Sequence, residues 1–432
     1  MGTQLDETME TPNDWSSVVT ASEIISVRGA SVLSYPKGRH QSLRSMPFAA
    51  TVCVPVSNEA AVVERALSSL VAQTFRDFAI VIVDNASSDH SHRLACRFAD
   101  QHPNVVVYQC GQPTGRSTLW SLCLDLSFGE FTKILEAPDY LLASFMAVAV
   151  AAMREDPETS LLRTGASVLR EGQLIETPSF SASRSMTGPS ALVHALTSGP
   201  FVGHPSAQLL RKSALDVRGL RFRSDLGDGA ATELALQLFV AGDFAYVNEP
   251  LIVFDEGVPR TFNQCGARTS FREECEARLS VLRSGSLPLP ARTLIRTLHR
   301  MAALFEEFCP RAEDEGQEAE IERDYAAAVA EVSTLLARVV HAVSAVDESQ
   351  SEVARLLVTA ERESKARRYK EAESQLRQIL AVSPCHSVAL GDLGRVCFAR
   401  ADLDAARKYF LSALAVDPEL ELWPSELEAI SQ

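Results

Sequence analysis

The sequence predicts an α/β domain followed by an all-α region, and three patterns indicate this division. From about residue 48 to residue 256, short β-branched apolar runs alternate with amphipathic helical stripes. Beyond residue 256, nearly all apolar residues recur with the period of a helix. The final part of the chain also contains a repeat of 34 residues. We therefore predict a loosely held N-terminal arm (1–45), an α/β domain (46–258), a helical connector (259–347) and a tail of repeated helices (348–432).

Length, charge and cysteine content restrict the class of protein. The chain has 432 residues, 46% of them hydrophobic and 22% charged, so it is long enough for two or three globular domains. It carries 41 Lys and Arg against 56 Asp and Glu, and the net charge of −15 argues against nucleic acid as a partner. No apolar run reaches the roughly 20 residues of a membrane-spanning helix. The nine cysteines are scattered without a C-x-x-C pair, which favours reduced thiols and a cytoplasmic location.

The first predicted strand and helix follow each other closely. Residues 50–54 form a short apolar run that suits a strand buried on both faces, and this run ends at Pro55. The next apolar residues have the spacing of an amphipathic helix, with Ser57 or Asn58 placed to cap its start. The apolar stripe of this helix comprises Val63, Ala66, Leu67, Leu70 and Val71.

Three further apolar runs continue the alternation. Residues 78–83 precede a polar segment, 84–89, that suits a turn into a helix. Residues 105–108 and 131–135 are the next expected strands. Strands that alternate with helices indicate a parallel sheet with helices on both faces.

The two ends of the α/β domain have weaker patterns. We expect strands at 159–163 and 244–247 and a helix at 232–240. Residues 1–45 show no sustained periodicity, although residues 18–32 could add an edge element to the sheet.

The tail contains pairs of similar residues that lie 34 positions apart, which is the period of a tetratricopeptide helix pair. These pairs are Pro384 and Pro418, Tyr369 and Leu403, and Ala372 and Ala406. The second copy has small and large residues at the packing positions of that motif, namely Leu393, Gly394, Ala406, Phe410 and Ala413. Two copies are fewer than the roughly three that a self-sufficient solenoid needs. We therefore expect the tail to stack on the preceding helices and to offer a surface for a peptide or protein partner.

Three polar segments follow predicted strands, at 55–59, 84–89 and 136–139. Ligands of parallel α/β sheets lie beyond the carboxyl ends of the strands, so we expect these segments to converge on one crevice. Asp84 and Asp139 suit a nucleotide there, because a carboxylate accepts a hydrogen bond from a pyrimidine N–H or holds a divalent cation against a diphosphate. The alternative is that Asp84 only caps the following helix.

These segments resemble a known family. Residues 52–59 (VCVPVSNE), 66–75 (ALSSLVAQTF) and 82–89 (IVDNASSD) are similar to the start of a family 2 inverting glycosyltransferase of the GT-A fold, which is Rossmann-like and binds nucleotide sugars. Scattered landmarks extend the resemblance to about residue 256. The resemblance implies transfer of a sugar, with inversion, from a nucleotide-diphospho-sugar to a peptide, protein or glycan acceptor, and a UDP-sugar is the expected donor.

The resemblance also implies roles for individual residues. It places Pro55 and Glu59 near the base and the ribose, and Asp84 on the base itself. Asn85 and Gly115 lie within matched motifs and are further expected donor-binding positions.

The metal motif of the family is altered in this chain. The usual Asp-x-Asp-Asp corresponds to residues 136–139, and Pro138 stands at the position that normally supplies the metal-binding carboxylate. Glu136 and Asp139 are therefore the candidate ligands of Mn²⁺ or Mg²⁺. His204 lies in a segment that looks structural in the family.

Inversion requires a base on the acceptor hydroxyl. The resemblance puts Ala231 at the usual position of this base, so Asp228, Asp225 or Glu233 would have to substitute. We favour Asp228, because glycines on both sides of it let the loop bring a carboxylate close to a ligand.

Pro138 and Ala231 also support a second hypothesis. In this alternative the chain is a catalytically silent relative that binds a nucleotide sugar, or only a protein partner through its helical tail.

Overall fold

The computed structural model describes residues 21–27, 30–177, 183–198, 202–257, 267–283, 287, 289, 291–308, 315–343 and 349–417. The strands are β1 (Glu23–Val27), β2 (Ala30–Tyr35), β3 (Ala50–Val56), β4 (Phe78–Asp84), β5 (Val105–Cys110), β6 (Phe131–Ile134), β7 (Tyr140–Leu141), β8 (Thr159–Arg170), β9 (Gln173–Thr177), β10 (Arg184–Met186), β11 (Gln208–Arg211) and β12 (Asp243–Asp255). The helices are α1 (Arg39–Arg44), α2 (Val63–Val71), α3 (Ser91–Gln101), α4 (Arg116–Leu126), α5 (Phe145–Glu155), α6 (Gly188–Thr197), α7 (Lys212–Val217), α8 (Gly229–Ala241), α9 (Ala267–Arg283), α10 (Ala291–Phe308), α11 (Glu315–Val343), α12 (Ser349–Lys365), α13 (Tyr369–Val382), α14 (Ser387–Ala399) and α15 (Leu403–Val416). Within the described residues, no helix combines the length and the apolar character needed to cross a bilayer.

The strands of the described residues belong to one mixed sheet with the order β1-β2-β5-β4-β3-β6-β11-β8-β12-β10, in which β7 pairs with β12 and β9 with β8. The four strands β5, β4, β3 and β6 are parallel. β11 runs antiparallel to both β6 and β8, whereas β8 and β12 are parallel. The carboxyl ends of the four parallel strands therefore lie along one edge of the sheet, where a ligand is expected.

Apolar side chains of the central strands pack on both faces of the sheet. In β4, Ile80 and Ile82 face a layer that contains α2, α3 and α5. Val81 and Val83 face the opposite layer, which contains α4, α6 and α8. Every residue of β3 and β4 is buried, which explains why these strands are nearly continuous apolar runs. The predicted layer arrangement is confirmed.

The strands predicted at 50–54, 78–83, 105–108 and 131–135 are confirmed, each ending within two residues of its observed bounds. The strand predicted at 244–247 is part of the longer β12. This strand passes through Pro250 because register shifts against β8 on either side of that proline accommodate the missing N–H.

The N-terminal region joins the sheet. β2 pairs with β5, and β1 pairs with β2, so the two strands extend the sheet beyond its parallel part. Tyr35 donates its hydroxyl hydrogen to Asp100 Oδ1 at 2.7 Å, and Arg39 Nη1 donates to the carbonyl of Val105 at 3.0 Å. The loosely held arm predicted for 1–45 therefore needs correction over residues 23–27 and 30–44, because main-chain pairing and buried side chains such as Val32 hold them. Residues 1–20 lie outside the described residues.

Ser57 and Asn58 do not cap the helix after β3, so that prediction is wrong. Helix α2 begins at Val63 and has no side-chain cap bond. The main-chain carbonyl of Glu59 instead accepts from the N–H groups of Val62 and Val63, at 3.0 Å each. The turn is longer than the sequence suggested, and its main chain satisfies the first N–H groups of the helix.

The tail consists of α12 to α15, which pack against one another in chain order. Small residues lie where neighbouring helices approach closely: Ala372, Ala406 and Ala413 are fully buried. A Cβ added at Gly394 would lie 2.6 Å from the Phe410 ring, so this helix pair requires glycine there. The predicted packing positions are thus core positions. Pro418 lies outside the described residues.

Helix α15 attaches the tail to the α/β domain. Lys408 Nζ lies 2.8 Å from Asp156 Oδ2 and also pairs with Asp243 Oδ2. The main-chain N–H of Thr187 donates to Ser412 Oγ at 3.0 Å. The tail therefore packs on α6 and β10, and its end also contacts the preceding helix α10, where Arg296 Nη2 donates to Asp417 Oδ1 at 3.2 Å.

Candidate functional site

Asp84 is the last residue of β4 and lies at the carboxyl edge of the sheet, fully buried. Its Oδ2 accepts from Ser87 N at 3.3 Å and from Gln109 Nε2 at 3.2 Å, and His92 Nδ1 lies 3.5 Å from the same oxygen. Its Oδ1 is also buried, and no hydrogen bond to it is made by any of the described residues. An unsatisfied buried carboxylate oxygen is costly, which makes Oδ1 a candidate acceptor for a ligand.

Asp84 is not the cap of the next helix. Helix α3 begins at Ser91, beyond the turn that contains Ser87, and it has no side-chain cap bond. Burial lowers the pKa of His92, although the Asp84 carboxylate opposes that shift. The imidazole beside Asp84 is therefore neutral at pH 7.

Asn85 holds the loop that leads into α4. Its Oδ1 accepts from Thr114 N at 2.8 Å, and its Nδ2 donates to the carbonyl of Thr114 at 3.0 Å. Both ends of the amide are used within the protein, so Asn85 positions the loop. Gly115 follows in this loop, and a Cβ added there would meet no atom within 4 Å.

Pro55 and Glu59 lie next to Asp84. Pro55 is buried in β3 opposite Val83. Glu59 is partly exposed, and its Oε2 accepts from Ser57 N at 3.1 Å. The main-chain N–H of Glu59 donates to Ser91 Oγ at 2.8 Å, which ties the turn after β3 to the start of α3.

Arg116, the first residue of α4, joins two of the predicted acidic residues. Its Nε and Nη2 donate to Oε1 and Oε2 of Glu136 at 2.8 and 2.7 Å, and its Nη1 donates to Asp228 Oδ1 at 2.9 Å. The guanidinium carbon lies 4.6 Å from the centroid of the Trp120 ring. Glu136 and Asp228, which are far apart in sequence, thus share one cation.

Glu136 has partners at both oxygens. Trp120 Nε1 donates to Oε1 at 3.1 Å, and His204 Nε2 lies 3.1 Å from Oε2, in addition to the two bonds from Arg116. Burial favours a raised pKa for Glu136, but His204 and Arg116 outweigh burial and hold the pKa well below its usual range. Glu136 is therefore ionised at neutral pH.

The three candidate bases have different surroundings. Asp228 is paired with Arg116 of the cluster, and its side chain is 33% exposed. Asp225 is 63% exposed and pairs with Arg223 at 2.5 Å. Glu233 is buried, where its Oε1 accepts from Gln237 at 3.2 Å. Of these three, Asp228 combines solvent access with a link to the acidic motif.

Gly227, the residue before Asp228, is required by the local backbone conformation and packing. Gly227 has a φ of 46°, and a Cβ there would lie 2.3 Å from the carboxylate of Glu273 on α9. The same carboxylate accepts from the main-chain N–H of Asp228 at 2.8 Å. Helix α9 and this glycine together fix the direction of the Asp228 loop.

Glu136, Asp139 and His204 offer ligand atoms that all lie within 4.8 Å of one another, so they form a possible metal-binding triad. Asp139 is fully buried, and its Oδ2 lies 3.7 Å from His204 Nδ1. The same Nδ1 accepts from Ser206 N at 3.2 Å. Pro138, between the two acids, offers no side-chain ligand. The donor types suit a divalent cation, but Glu136 and His204 already use their lone pairs within the protein.

The central part of the chain is similar to a known family. Residues 51–219 match glycosyl transferase family 2. The matched region contains Asp84, Arg116, Glu136 and Asp139, and it ends before Asp228.

Curated relatives match part of the chain. An uncharacterized protein of Mycobacterium tuberculosis (strain CDC 1551 / Oshkosh) is 25% identical over 215 residues, which are 47% of this chain and 66% of that protein. The PGL/p-HBAD biosynthesis glycosyltransferase of Mycobacterium bovis (strain BCG / Pasteur 1173P2) is 29% identical over 120 residues, or 28% of this chain and 47% of that protein. This chain spans about half to two thirds of the length of these relatives. Among solved structures, S. aureus TarS aligns with a TM-score of 0.49 and 14% identity, over 84% of this chain and 55% of that chain.

Sequence analysis missed Arg116 and Trp120 and treated His204 as structural. The position of Arg116 could have indicated an anion-binding site. Helix N-termini favour anions, and a basic residue at a helix start after a parallel strand adds to that preference. The partnership of Arg116 with Asp228 was not readable, because 112 positions separate them and only the fold brings them together.

Proposed function

We propose that this protein is a glycosyltransferase with a GT-A domain that transfers a sugar, with inversion, from a UDP-sugar to an acceptor. The buried Oδ1 of Asp84 carries this proposal. It lies at the carboxyl edge of the parallel strands and inside the region that matches family 2. Uracil offers an imide N–H that such an oxygen can accept. Pro55 and Glu59, beside Asp84, lie where the base and ribose would then bind.

The proposed reaction is one displacement at the anomeric carbon. The Asp228 carboxylate takes the proton of the acceptor hydroxyl, and the acceptor oxygen forms the new bond to the anomeric carbon. The bond from that carbon to the diphosphate breaks at the same time, and UDP leaves with the electron pair. Attack from the face opposite the leaving group inverts the configuration.

The tail suits a role in binding the acceptor. Helices α12 to α15 form a layered array with the 34-residue offset of peptide-binding helical repeats, so we propose a peptide or protein acceptor, with a glycan as the alternative. We place the reaction in the cytoplasm, because the seven described cysteines are buried and form no disulfide.

Two residues favour a second candidate function. Pro138 removes a side-chain ligand from the acidic motif, and Ala231 occupies the position at which the resemblance expects the base. A relative that binds the nucleotide sugar without turnover would have both changes.

A donor screen separates these two functions. The purified full-length chain is incubated with a panel of UDP-sugars and GDP-sugars and with lysate proteins, in parallel arms with Mn²⁺, Mg²⁺ or EDTA, and release of the nucleoside diphosphate is measured. We expect release from one UDP-sugar that depends on the acceptor. Binding of UDP without release from any donor would establish the silent relative instead.

Asp84→Ala should weaken UDP binding about ten-fold or more, because a charge-assisted hydrogen bond contributes about 1.5–3 kcal/mol. Titration calorimetry with UDP measures the effect. Asp84→Asn should lose less, because the amide oxygen can still accept.

Asp125→Ala is the matched control, because Asp125 is a partly buried carboxylate that pairs with Arg221 at 2.6 Å, away from the strand ends. This variant should bind UDP as the parent chain does. Unchanged UDP affinity in a folded Asp84→Ala protein would contradict the assignment of Asp84 to the base.

A further inference from the structure

The acidic motif of this chain holds an arginine where the resemblance implies a metal. A carboxylate offers about four acceptor positions. Glu136 meets four donor atoms, which are Nε and Nη2 of Arg116, Nε1 of Trp120 and Nε2 of His204, at 2.7 to 3.1 Å. The carboxylate has no lone pair left for a cation while these contacts persist.

The remaining members of the triad do not compensate. Nδ1 of His204 accepts from Ser206 N at 3.2 Å, so both ring nitrogens are engaged. Pro138 contributes a carbonyl oxygen, and that oxygen accepts from Arg65 Nη2 at 2.9 Å. Asp139 would be the main protein ligand, whereas Mg²⁺ and Mn²⁺ sites that bind nucleotides usually have one or two carboxylates in good octahedral geometry. The residues present therefore do not fit a resident divalent cation.

Arg116 has the properties that phosphate binding requires. Its planar guanidinium matches phosphate oxygens and stays charged at all relevant pH values. Its contact with the Trp120 ring and its two hydrogen bonds to Glu136 fix the orientation of the guanidinium. Arg116 is also the first residue of α4, an 11-residue helix without a side-chain cap bond, so the dipole of that helix start adds to the positive potential.

We propose that Arg116, held by Glu136, donates hydrogen bonds to the donor diphosphate where a divalent cation would otherwise bind it, so that the nucleotide binds without added metal. This inference rests on the proposed function. Nε and Nη2 of Arg116 stay on Glu136, and Nη1, which pairs with Asp228 in this structure, donates to the diphosphate once the Asp228 loop moves away. Donor binding then releases the Asp228 carboxylate for the acceptor hydroxyl, which makes the donor the first substrate to bind.

Calorimetry of the full-length chain with UDP and with uridine, each in EDTA and in Mn²⁺, tests the proposal. We expect the same UDP affinity in both buffers. Arg116→Ala should lower UDP affinity about ten-fold or more and leave uridine affinity unchanged, because the lost contact is to phosphate. Arg116→Lys keeps the positive charge but not the planar guanidinium. Its UDP affinity should lie between those of the parent chain and Arg116→Ala.

Arg211→Ala is the matched control. Arg211 also lies over an aromatic ring, with its guanidinium carbon 5.1 Å from the Phe131 centroid, and it pairs with Glu130. Phe131 begins β6, so Arg211 lies at the opposite edge of the sheet from the candidate site. The Arg211 variant should bind UDP and uridine like the parent chain.

The outcomes separate this inference from the proposed function. UDP affinity that rises about ten-fold in Mn²⁺, and loses that rise in Asp139→Asn, would overturn the metal-free site and leave the proposed function intact. Electron paramagnetic resonance that shows stoichiometric Mn²⁺ on the nucleotide-free chain would overturn it too. Absence of both UDP and uridine binding in every buffer would overturn the proposed function itself, and the inference with it.

Discussion

Replacing Asp228 with asparagine should lower the rate of sugar transfer by about 10²–10⁴-fold, which is the usual contribution of a positioned general base. The asparagine oxygen can still accept from Arg116 Nη1, so the loop and the cluster should keep their geometry. UDP affinity should not fall, because the nucleotide then displaces a neutral amide from Arg116 Nη1 instead of a carboxylate. The measurement is the initial rate of product formation with the donor found in the screen, together with UDP calorimetry on the same preparation.

Two other acids supply matched controls for Asp228. Asp225→Asn changes an exposed carboxylate three positions earlier, whose partner is Arg223. Glu233→Gln changes a buried carboxyl whose pKa burial raises. Both variants should keep transfer rates close to that of the parent chain. A large loss in either one, with normal rates in Asp228→Asn, would show that the base is assigned to the wrong acid.

Replacing Lys408 with methionine should destabilise the protein by about 3 kcal/mol, because two carboxylates then lose the cation between them. Lys408 and Asp243 are only 15% and 17% exposed, so water replaces little of the lost attraction. Methionine preserves most of the apolar volume of the lysine stem, which confines the change to charge. Urea denaturation monitored by near-ultraviolet and far-ultraviolet circular dichroism measures the shift.

The matched control for Lys408 is Lys365→Met. Lys365 also pairs with a carboxylate, Glu361, but its side chain is 76% exposed, so the change should be below about 0.5 kcal/mol. Adding Asp243→Asn to Lys408→Met should restore part of the stability, because it removes one of the unpaired charges. Equal stabilities for the Lys408 and Lys365 variants would show that the contact between α15 and the α/β domain contributes little.

The contact made by Lys408 changes how the role of the tail is best tested. Removal of residues 350–432 would delete Lys408 and leave Asp156 and Asp243 without their cation, and it would uncover Val193 on α6. A truncated chain could therefore lose transfer through damage to the catalytic domain. Substitutions on exposed tail positions of the full-length chain, such as Val358 and Leu403, separate acceptor binding from stability.

The sequence contained enough information for the parallel core and its carboxyl edge. Buried parallel strands are nearly pure apolar runs, so β3 to β6 were predictable, and polar residues such as Asp84 and Asp139 mark the points at which such runs end. The strands of the N-terminal region were less visible, because the apolar residues of an edge strand do not all mark a buried face: Ile24 of β1 is 76% exposed. Local pattern is a weak guide where pairing comes from distant residues.

The candidate site was predictable only in part, for a related reason. Acidic residues that follow predicted strands can be recognised from their position in the sequence. This pattern selected Asp84, Glu136 and Asp139 as candidate site residues. The cation that organises two of the site carboxylates is fixed by tertiary contact, since Arg116 reaches Glu136 from one side and Asp228 from the other. Asn85 was expected to bind the donor, and the bonds by which its amide also holds Thr114 could not be predicted from the sequence. Side-chain geometry decides such roles, and it follows from the packing of the whole domain.

The ion pairs of Lys408 with Asp156 and Asp243 also have a consequence for the order of folding during synthesis. Strand β12 ends at Asp255, so the sheet can be completed once that residue leaves the ribosome, but Lys408 is made about 150 residues later. At about 5–20 residues per second, the nascent domain waits roughly 8–30 s with Asp156 and Asp243 lacking their cation. During that interval the surface of α6 that α15 later covers is open to chaperones and proteases. A polypeptide that stops before residue 408 stays in this unfinished state, so quality control can distinguish it from the completed chain.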